Sequence, residues 1–266
     1  MTHLQSNIQE NTTDTQPLIS IITVTYNAEG TLARTLDSVR SQSYTNSELI
    51  LVDGASSDGT VGIAEAYSDV VQKMISERDK GIYDAMNKGI AEASGEYLIF
   101  LNAGDKLHDQ DSLKTLVDIA EAERQRYNRY PDIIYGDTAI VDNEGHFLHL
   151  REKRPPERLH ADSFQDGMLV CHQAFVIRRE LAMPYDLQYR FSSDFDWCIR
   201  MMRAVEKNDG RMVLVPGVLI DYLDEGVTTQ NHRASLQERF WIMTKHYGLL
   251  ITIGKHFGFI WKKLLK

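Results

Sequence analysis

The sequence predicts an α/β fold, a Rossmann-like and mostly parallel central sheet flanked by helices, with a C-terminal amphipathic helical extension. Three observations predict it. Residues 19–24, Ile-Ser-Ile-Ile-Thr-Val, form a β-rich run bounded by turn residues, as expected of a strand buried on both faces. A helical pattern follows, and then a second apolar run, Leu49-Ile50-Leu51-Val52, so strand, helix and strand alternate as in a βαβ unit with a right-handed crossover. The 266 residues, 42% of them apolar, suffice for one such core plus an appendage.

The elements follow in order. After the first strand, Thr31 is placed to cap a helix with Leu32, Leu36 and Val39 on one face. The second strand stops at Asp53, and the turn through Gly59 leads to another helix. Strands are expected over 70–75 and 96–101, with a helix over 83–93 between them. A helix over 111–126 and a strand over 132–135 come next. The second half is less regular: an extended connection over 151–165 containing Pro155 and Pro156, a strand over 170–178, a helix over 194–205 and a strand pair over 211–219. The expected organisation is a disordered tail over 1–17, a catalytic domain over 18–230 and a helical extension over 231–266.

Charge and cysteine usage narrow the function. The net charge is −9, but residues 247–266 carry four Lys and no acid, which leaves residues 1–246 with 25 bases against 38 acids, or −13. An acidic body argues against nucleic-acid binding, which needs a continuous basic surface. Cys171 and Cys198 have no zinc spacing and make no disulfide framework. Residues 1–17 are polar and lack a secretory apolar region, and no run of 18 apolar residues occurs, so a cytoplasmic protein without a spanning helix is expected.

Ligands of parallel sheets bind outside the carboxyl ends of the strands. Three such ends finish in polar residues: Thr25-Tyr26-Asn27, Asp53 and Asn102-Ala103-Gly104-Asp105. A carboxylate there can accept from a base N–H edge or from ribose hydroxyls, and a tyrosine can stack on a base. The plain alternative is that Asp53, Ser56 and Asp58 form turns and cap the next helix. Asp105 is the candidate for Mg²⁺ or Mn²⁺, hard cations that take one or two protein oxygens and leave the rest to phosphate and water. Asp194 and Asp196 open a predicted helix two positions apart, so they point in different directions and one can act on substrate while the other pairs. Both could instead simply complement the helix dipole.

Taken together and in order, these blocks resemble the family 2 inverting glycosyltransferases of the GT-A fold. The blocks are Ile-Ile-Thr-Val-Thr-Tyr-Asn at 21–27, Leu-Val-Asp-Gly-Ala-Ser-Ser-Asp-Gly-Thr at 51–60 and Gly-Glu-Tyr-Leu-Ile-Phe-Leu-Asn-Ala-Gly-Asp at 95–105, with Asp194 to Arg200. Glu-Arg-Asp-Lys-Gly-Ile-Tyr-Asp-Ala-Met-Asn-Lys-Gly-Ile at 77–90 is similar to a subgroup acting on bacterial surface polysaccharides. The resemblance implies that Thr25, Tyr26, Asn27, Asp53 and Ser56 hold nucleobase and ribose. It implies that Asp79, Lys80, Asn87 and Gly89 line the donor pocket. Asn102 and Asp105 fall on the DxD motif, with Asp105 as the metal-binding acid, Asp194 falls on the general base, and His172, Gln173 and Asp196 lie near sugar or acceptor. The chain departs from the family pattern in two motifs: the DxD acids are Asn102 and Gly104 here, and Met86 replaces an Arg.

The implied function is transfer of a sugar from a nucleotide-sugar, by family habit a UDP-sugar, to a glycan or lipid-linked acceptor in cell-surface polysaccharide biosynthesis. A non-catalytic GT-A-like nucleotide-binding or scaffold protein is the alternative. A nucleotidyltransferase would need a basic, Gly-rich loop after the first strand, and Tyr26-Asn27-Ala28-Glu29-Gly30 holds no base. Finally, Leu249, Leu250, Ile253, Phe257, Ile260, Trp261 and Leu264 recur at helical spacing, with Lys255, Lys262 and Lys266 opposite. That pattern predicts a helix lying in a membrane surface, here the inner face of the cytoplasmic membrane; a helix packed on protein shows the same apolar stripe.

Overall fold

The computed structural model describes residues 16–224 and 232–264, without side-chain detail for 232 and 259–264. Residues 1–15 of the tail expected over 1–17, and the side-chain pattern expected for Ile260, Trp261, Lys262, Leu264 and Lys266, lie outside the described residues, while the carbonyls of Gln16 and Pro17 accept from Asn46 Nδ2 and the Tyr44 hydroxyl. In chain order the main elements are β1 (Ile19–Thr25), α1 (Leu32–Arg40), β2 (Ser47–Asp53), α2 (Thr60–Ala66), β3 (Val71–Ser76), α3 (Ile82–Glu92), β4 (Tyr97–Phe100) and β5 (Lys106–Leu107). They continue with α4 (Ser112–Tyr127), β6 (Ile133–Val141), β7 (Phe147–Leu150), β8 (Phe175–Arg178), α5 (Ser193–Lys207), β9 (Met212–Leu223), α6 (His232–Tyr247) and α7 (Leu249–Leu264).

One sheet runs β3-β2-β1-β4-β8-β6-β9-β5, with β7 paired to β6. Its first four strands are all parallel, and Thr25 stands opposite Asp53 in register. Every residue of β1 is buried, because helices cover both faces of a parallel sheet. Helix α3 approaches that strand closely: a Cβ on Gly89 would collide with the Ile22 side chain, so only glycine permits this spacing. In the second half β8 runs antiparallel to both β4 and β6, while β6 and β9 are parallel.

Several boundaries differ from expectation. Thr31 occupies the N-cap position of α1 but makes no side-chain cap bond. The strand expected over 170–178 is strand only from Phe175; His172–Ala174 is a 3₁₀ turn that aims two polar side chains inward. The strand pair expected over 211–219 is the single strand β9. Opposite Gly136 it carries the extra residues Val215, Pro216 and Gly217, a bulge with Gly217 at φ +102°. Strands β5, two residues long, and β7, a mostly exposed Phe-Leu-His-Leu, were not expected from the sequence.

The carboxyl-terminal half of the core is aromatic. Tyr185 stacks on Trp197 of α5 at 4.9 Å between ring centroids, and Tyr83 of α3 stacks on Tyr185 at 5.4 Å. Phe100, the last residue of β4, meets the edges of both Tyr185 and Trp197. Such stacks contribute about 0.5–1.5 kcal/mol each beyond area burial and fix ring orientation, and so here the start of α5 relative to the sheet edge. On its far side α5 is pinned to α6: the buried Asp196 accepts from His246 Nε2 at 2.8 Å and Arg200 Nε at 2.6 Å, with Lys245 Nζ at 3.4 Å. Helix α7 then turns its polar side to the protein. Thr252 is buried and Lys255 pairs with Asp166 at 2.7 Å, whereas Leu249, Leu250, Ile251, Ile253 and Phe257 are exposed, Leu250 and Phe257 at 86% and 70%.

Candidate active site

Strands β2, β1 and β4 are adjacent and parallel, so the three polar strand ends lie along one edge of the sheet. The loops after β1 and β2 are bolted together. Asn27, at φ +48°, donates its N–H to Ser56 Oγ at 2.8 Å and accepts from Ser57 N–H at 2.9 Å. Ala28 N–H donates to Thr60 Oγ1 at 2.8 Å, and Gly59 N–H to Glu29 Oε2 at 2.7 Å. Tyr26 projects from this platform 65% exposed, its ring edge beside Gly54. Asp79 comes to the same place, because a Cβ on Gly54 would lie 2.7 Å from Asp79 Oδ2 and 3.3 Å from the Tyr26 ring. Asp79 Oδ1 accepts from Gly81 N–H at 2.8 Å, and Lys80 is exposed beside it.

Asp53 is fully buried. Its carboxylate accepts from Ser56 N–H at 3.0 Å, from Ser76 Oγ–H at 2.7 Å and from Ser56 Oγ–H. It holds the β2 loop against β3, so direct contact with a nucleotide requires the serines to move. Thr25 is buried with its hydroxyl oxygen unpartnered among the described residues.

Asp105 is also buried. One oxygen accepts from Leu223 N–H at 3.0 Å and the other from Gln173 Nε2 at 2.9 Å. Burial pushes its carboxyl up to about 7, against the opposing pull of those two donors and the charge of Arg34. Asn102 Oδ1, three residues earlier, is buried without a partner among the described residues. A buried acid with no cation in hydrogen-bond contact among the described residues, and an orphaned carbonyl oxygen three positions before it, are oxygen donors of the kind a hard divalent cation takes. Among the described residues the one three-member acid and histidine group is elsewhere: Asp142, Glu144 and His146 in the exposed turn between β6 and β7.

Asp194 opens α5 with its side chain 15% exposed. Tyr83 donates its hydroxyl to Asp194 Oδ1 at 3.0 Å, and His172 Nδ1 stands 3.6 Å from Oδ2. Burial lowers the proton affinity of His172, the Asp194 charge opposing, so the imidazole is neutral near pH 7. Its Nε2 is buried and unpartnered among the described residues. A chain of contacts thus runs from Asp105 through Gln173 to the adjacent His172, and on to Asp194 and Tyr83.

Four expected site residues have other contacts. Asn87 exchanges two hydrogen bonds with the backbone of Tyr185, at 3.0 and 2.7 Å, and so braces the loop before α5. Gly89 serves helix-to-sheet packing. Gln173 is fully buried and accepts from Cys171 Sγ–H at 2.6 Å, so it acts behind Asp105. Asp196 faces α6: burial would raise its carboxyl, but His246, Arg200 and Lys245 outweigh burial and hold it at about 2. Tyr83 was not singled out from the sequence. It lies in the 77–90 block, in the first turn of α3, and its place in that block was the available signal.

A mixed sheet whose parallel half ends in a braced, partly acidic edge, with a further acid on a later helix, defines a glycosyltransferase of the GT-A fold. The family described as Glycosyl transferase family 2 matches residues 20–184, and the chain belongs to it. A PGL/p-HBAD biosynthesis glycosyltransferase of Mycobacterium bovis (strain BCG / Pasteur 1173P2) is 36% identical over 191 residues, 69% of each chain. The amylovoran biosynthesis glycosyltransferase AmsB of Erwinia amylovora is 30% identical over 215 residues, 76% of this chain and 68% of that one. Among solved structures, residues 1–349 of S. aureus TarS superpose with a TM-score of 0.66 at 15% identity, covering 91% of this chain and 72% of that chain. The same TarS domain in complex with UDP-GlcNAc gives a TM-score of 0.63 at 16% identity, covering 91% and 73%.

Proposed function

We propose that this glycosyltransferase is an inverting enzyme that moves a sugar from a UDP-sugar to a lipid-linked or glycan acceptor in cell-surface polysaccharide biosynthesis. The observation that carries it is Asp194, a partly exposed carboxylate held by Tyr83 at the sheet edge where β1, β2 and β4 end. Asp194 takes the proton of an acceptor hydroxyl as that oxygen bonds to the anomeric carbon from one side. The bond from that carbon to the diphosphate oxygen breaks on the other, its electron pair leaving with the nucleoside diphosphate, so the configuration inverts. Tyr26 offers an open ring face to the base, and the interlocked β1 and β2 loops keep that face at a fixed height over the edge. Asn102 and Asp105 would hold Mn²⁺ or Mg²⁺, which when bound neutralises charge developing on the leaving group. The relatives named for glycolipid and exopolysaccharide biosynthesis, and the TarS domain carrying UDP-GlcNAc, support the donor and acceptor classes.

The test is calorimetric titration of UDP and other nucleoside diphosphates, with and without Mn²⁺. UDP is expected to bind, and Tyr26→Ala to weaken it about tenfold or more, since base–aromatic stacking contributes about 1–3 kcal/mol. No binding of any nucleoside diphosphate under either condition would overturn the reading in favour of a scaffold.

We further propose that α7 lies in the cytoplasmic face of a membrane and brings the site to a lipid-linked acceptor. Its inverted packing supports this, because an apolar face left in water while the polar face contacts protein is stabilised only by an apolar partner. No helix among the described residues is long and apolar enough to cross a membrane. The double variant Leu250→Glu, Phe257→Glu should co-sediment with anionic liposomes at least about tenfold less than wild type, given about 1.5–3 kcal/mol per buried side chain. Nucleotide affinity should not change. Equal sedimentation of the two proteins would exclude this role for α7.

A further inference from the structure

We propose that Tyr83 is a positioning residue that fixes and tunes the Asp194 carboxylate, with His172 flanking its other oxygen. This rests on Asp194 being the general base. The phenol reaches the acid across 111 residues of sequence, 3.0 Å from Oδ1. It has little freedom to swing, because its ring is stacked on Tyr185, itself stacked on Trp197 of the helix that carries Asp194. The acid and the group that holds it are therefore tied to one another twice, by the hydrogen bond and through the aromatic stack. Burial and the Asp194 charge keep the phenol protonated, so it remains a donor. On the other side, Nδ1 of His172 lies 3.6 Å from Oδ2. Assigning the ring proton to Nδ1, toward the carboxylate, leaves the buried Nε2 as an acceptor with no protein partner among the described residues.

The consequence is directional. A donor to the ionised carboxylate favours the charged, basic form, so its removal moves protonation of the base to higher pH. Of the groups linked to Asp194, the Asp105 carboxyl, raised by burial to about 7 and reached through Gln173 and His172, does titrate in the working range, and it is the same in wild type and variant. Burial raises Cys171, Cys198, Tyr185 and Tyr222 so that they stay neutral, while Arg151 and Arg239 are fixed cations acting on the same cluster. His172 is neutral near pH 7 for the reason given above.

The experiment is the pH profile of kcat/KM for the full-length enzyme and for Tyr83→Phe, which keeps the ring stack. Expected are a fall in kcat of about tenfold to a hundredfold and a rise of about one pH unit in the acid limb, with donor KM near wild type. Tyr185→Phe serves as the control for the aromatic stack: its hydroxyl is buried and unpartnered among the described residues, so its acid limb should stay in place. A Tyr83→Phe enzyme whose acid limb coincides with wild type would overturn the proposal, whatever its kcat. Failure of the base reading looks different: Asp194→Asn would then turn over at the wild-type rate.

Discussion

Asp194→Asn is expected to lower kcat by about 10²–10⁴-fold, the usual contribution of a positioned general base. It should do so with little change in stability or in UDP affinity. The asparagine keeps the size of the side chain and an oxygen that can still accept from Tyr83, so the packing at the start of α5 is preserved. What is lost is the ability to take a proton. Because Asp194 contributes nothing to the platform formed by Tyr26, Asn27 and Ser56, nucleotide binding should be insensitive to the change. Single-turnover rates with a saturating donor would separate the two effects. A loss confined to KM would instead mean that Asp194 holds the acceptor, and another group would have to take the proton.

Asp105→Asn is expected to make the metal-free protein more stable and the enzyme much less active. The wild-type carboxyl is raised by burial to about 7 in the folded chain, from an ordinary value of 3.8. A group raised in this way favours folding in its protonated form. Its contribution is fully present below about pH 4 and is lost as pH climbs through 7, because burying the ionised form is costly. A neutral amide removes that cost. By linkage the gain at pH 8 is about 2–4 kcal/mol, shrinking toward pH 5. Gln173 must rotate its amide to accept from the new Nδ2, giving up only a weak bond from Cys171. Urea denaturation at pH 5 and pH 8 in EDTA measures the difference. Added Mn²⁺ should then stabilise wild type but not the variant, and turnover should fall about 10²–10³-fold, as when one group stabilising developing charge is deleted. Equal stability of the two proteins at pH 8 would mean that burial does not raise the carboxyl, its charge being as well accommodated inside the fold as in the unfolded chain. A residue costly to stability is expected where charge is needed more than stability.

Much of the site was legible because its parts are local. Asn27, Ser56 and Asp58 are turn residues following apolar runs, and turn chemistry alone predicts interlocking loops once two such strands are neighbours. Asp105 and Asp194 were legible as acids at the ends of elements. Tyr83 was not, because a tyrosine among the buried positions of α3 reads as core until something is found opposite its hydroxyl. The roles of Asn87, Gln173 and Asp196 were equally hidden. Each is polar and sits in a recognisable block, yet each spends its hydrogen bonds on Tyr185, on Asp105 and Cys171, and on α6 respectively.

By itself the sequence determined the parallel half of the sheet, the polar strand ends and the acid at the head of α5. Hydrophobic period, turn residues and element order are read over a few neighbouring positions, and they suffice for these features. Only the tertiary structure decided which polar groups face the cleft and which are consumed inside. It turned Asp53 toward Ser76, brought Tyr83 to Asp194, and set the polar face of α7 against Asp166. The physical reason is that a buried polar group must find a partner, and that partner is chosen by packing between elements far apart in sequence.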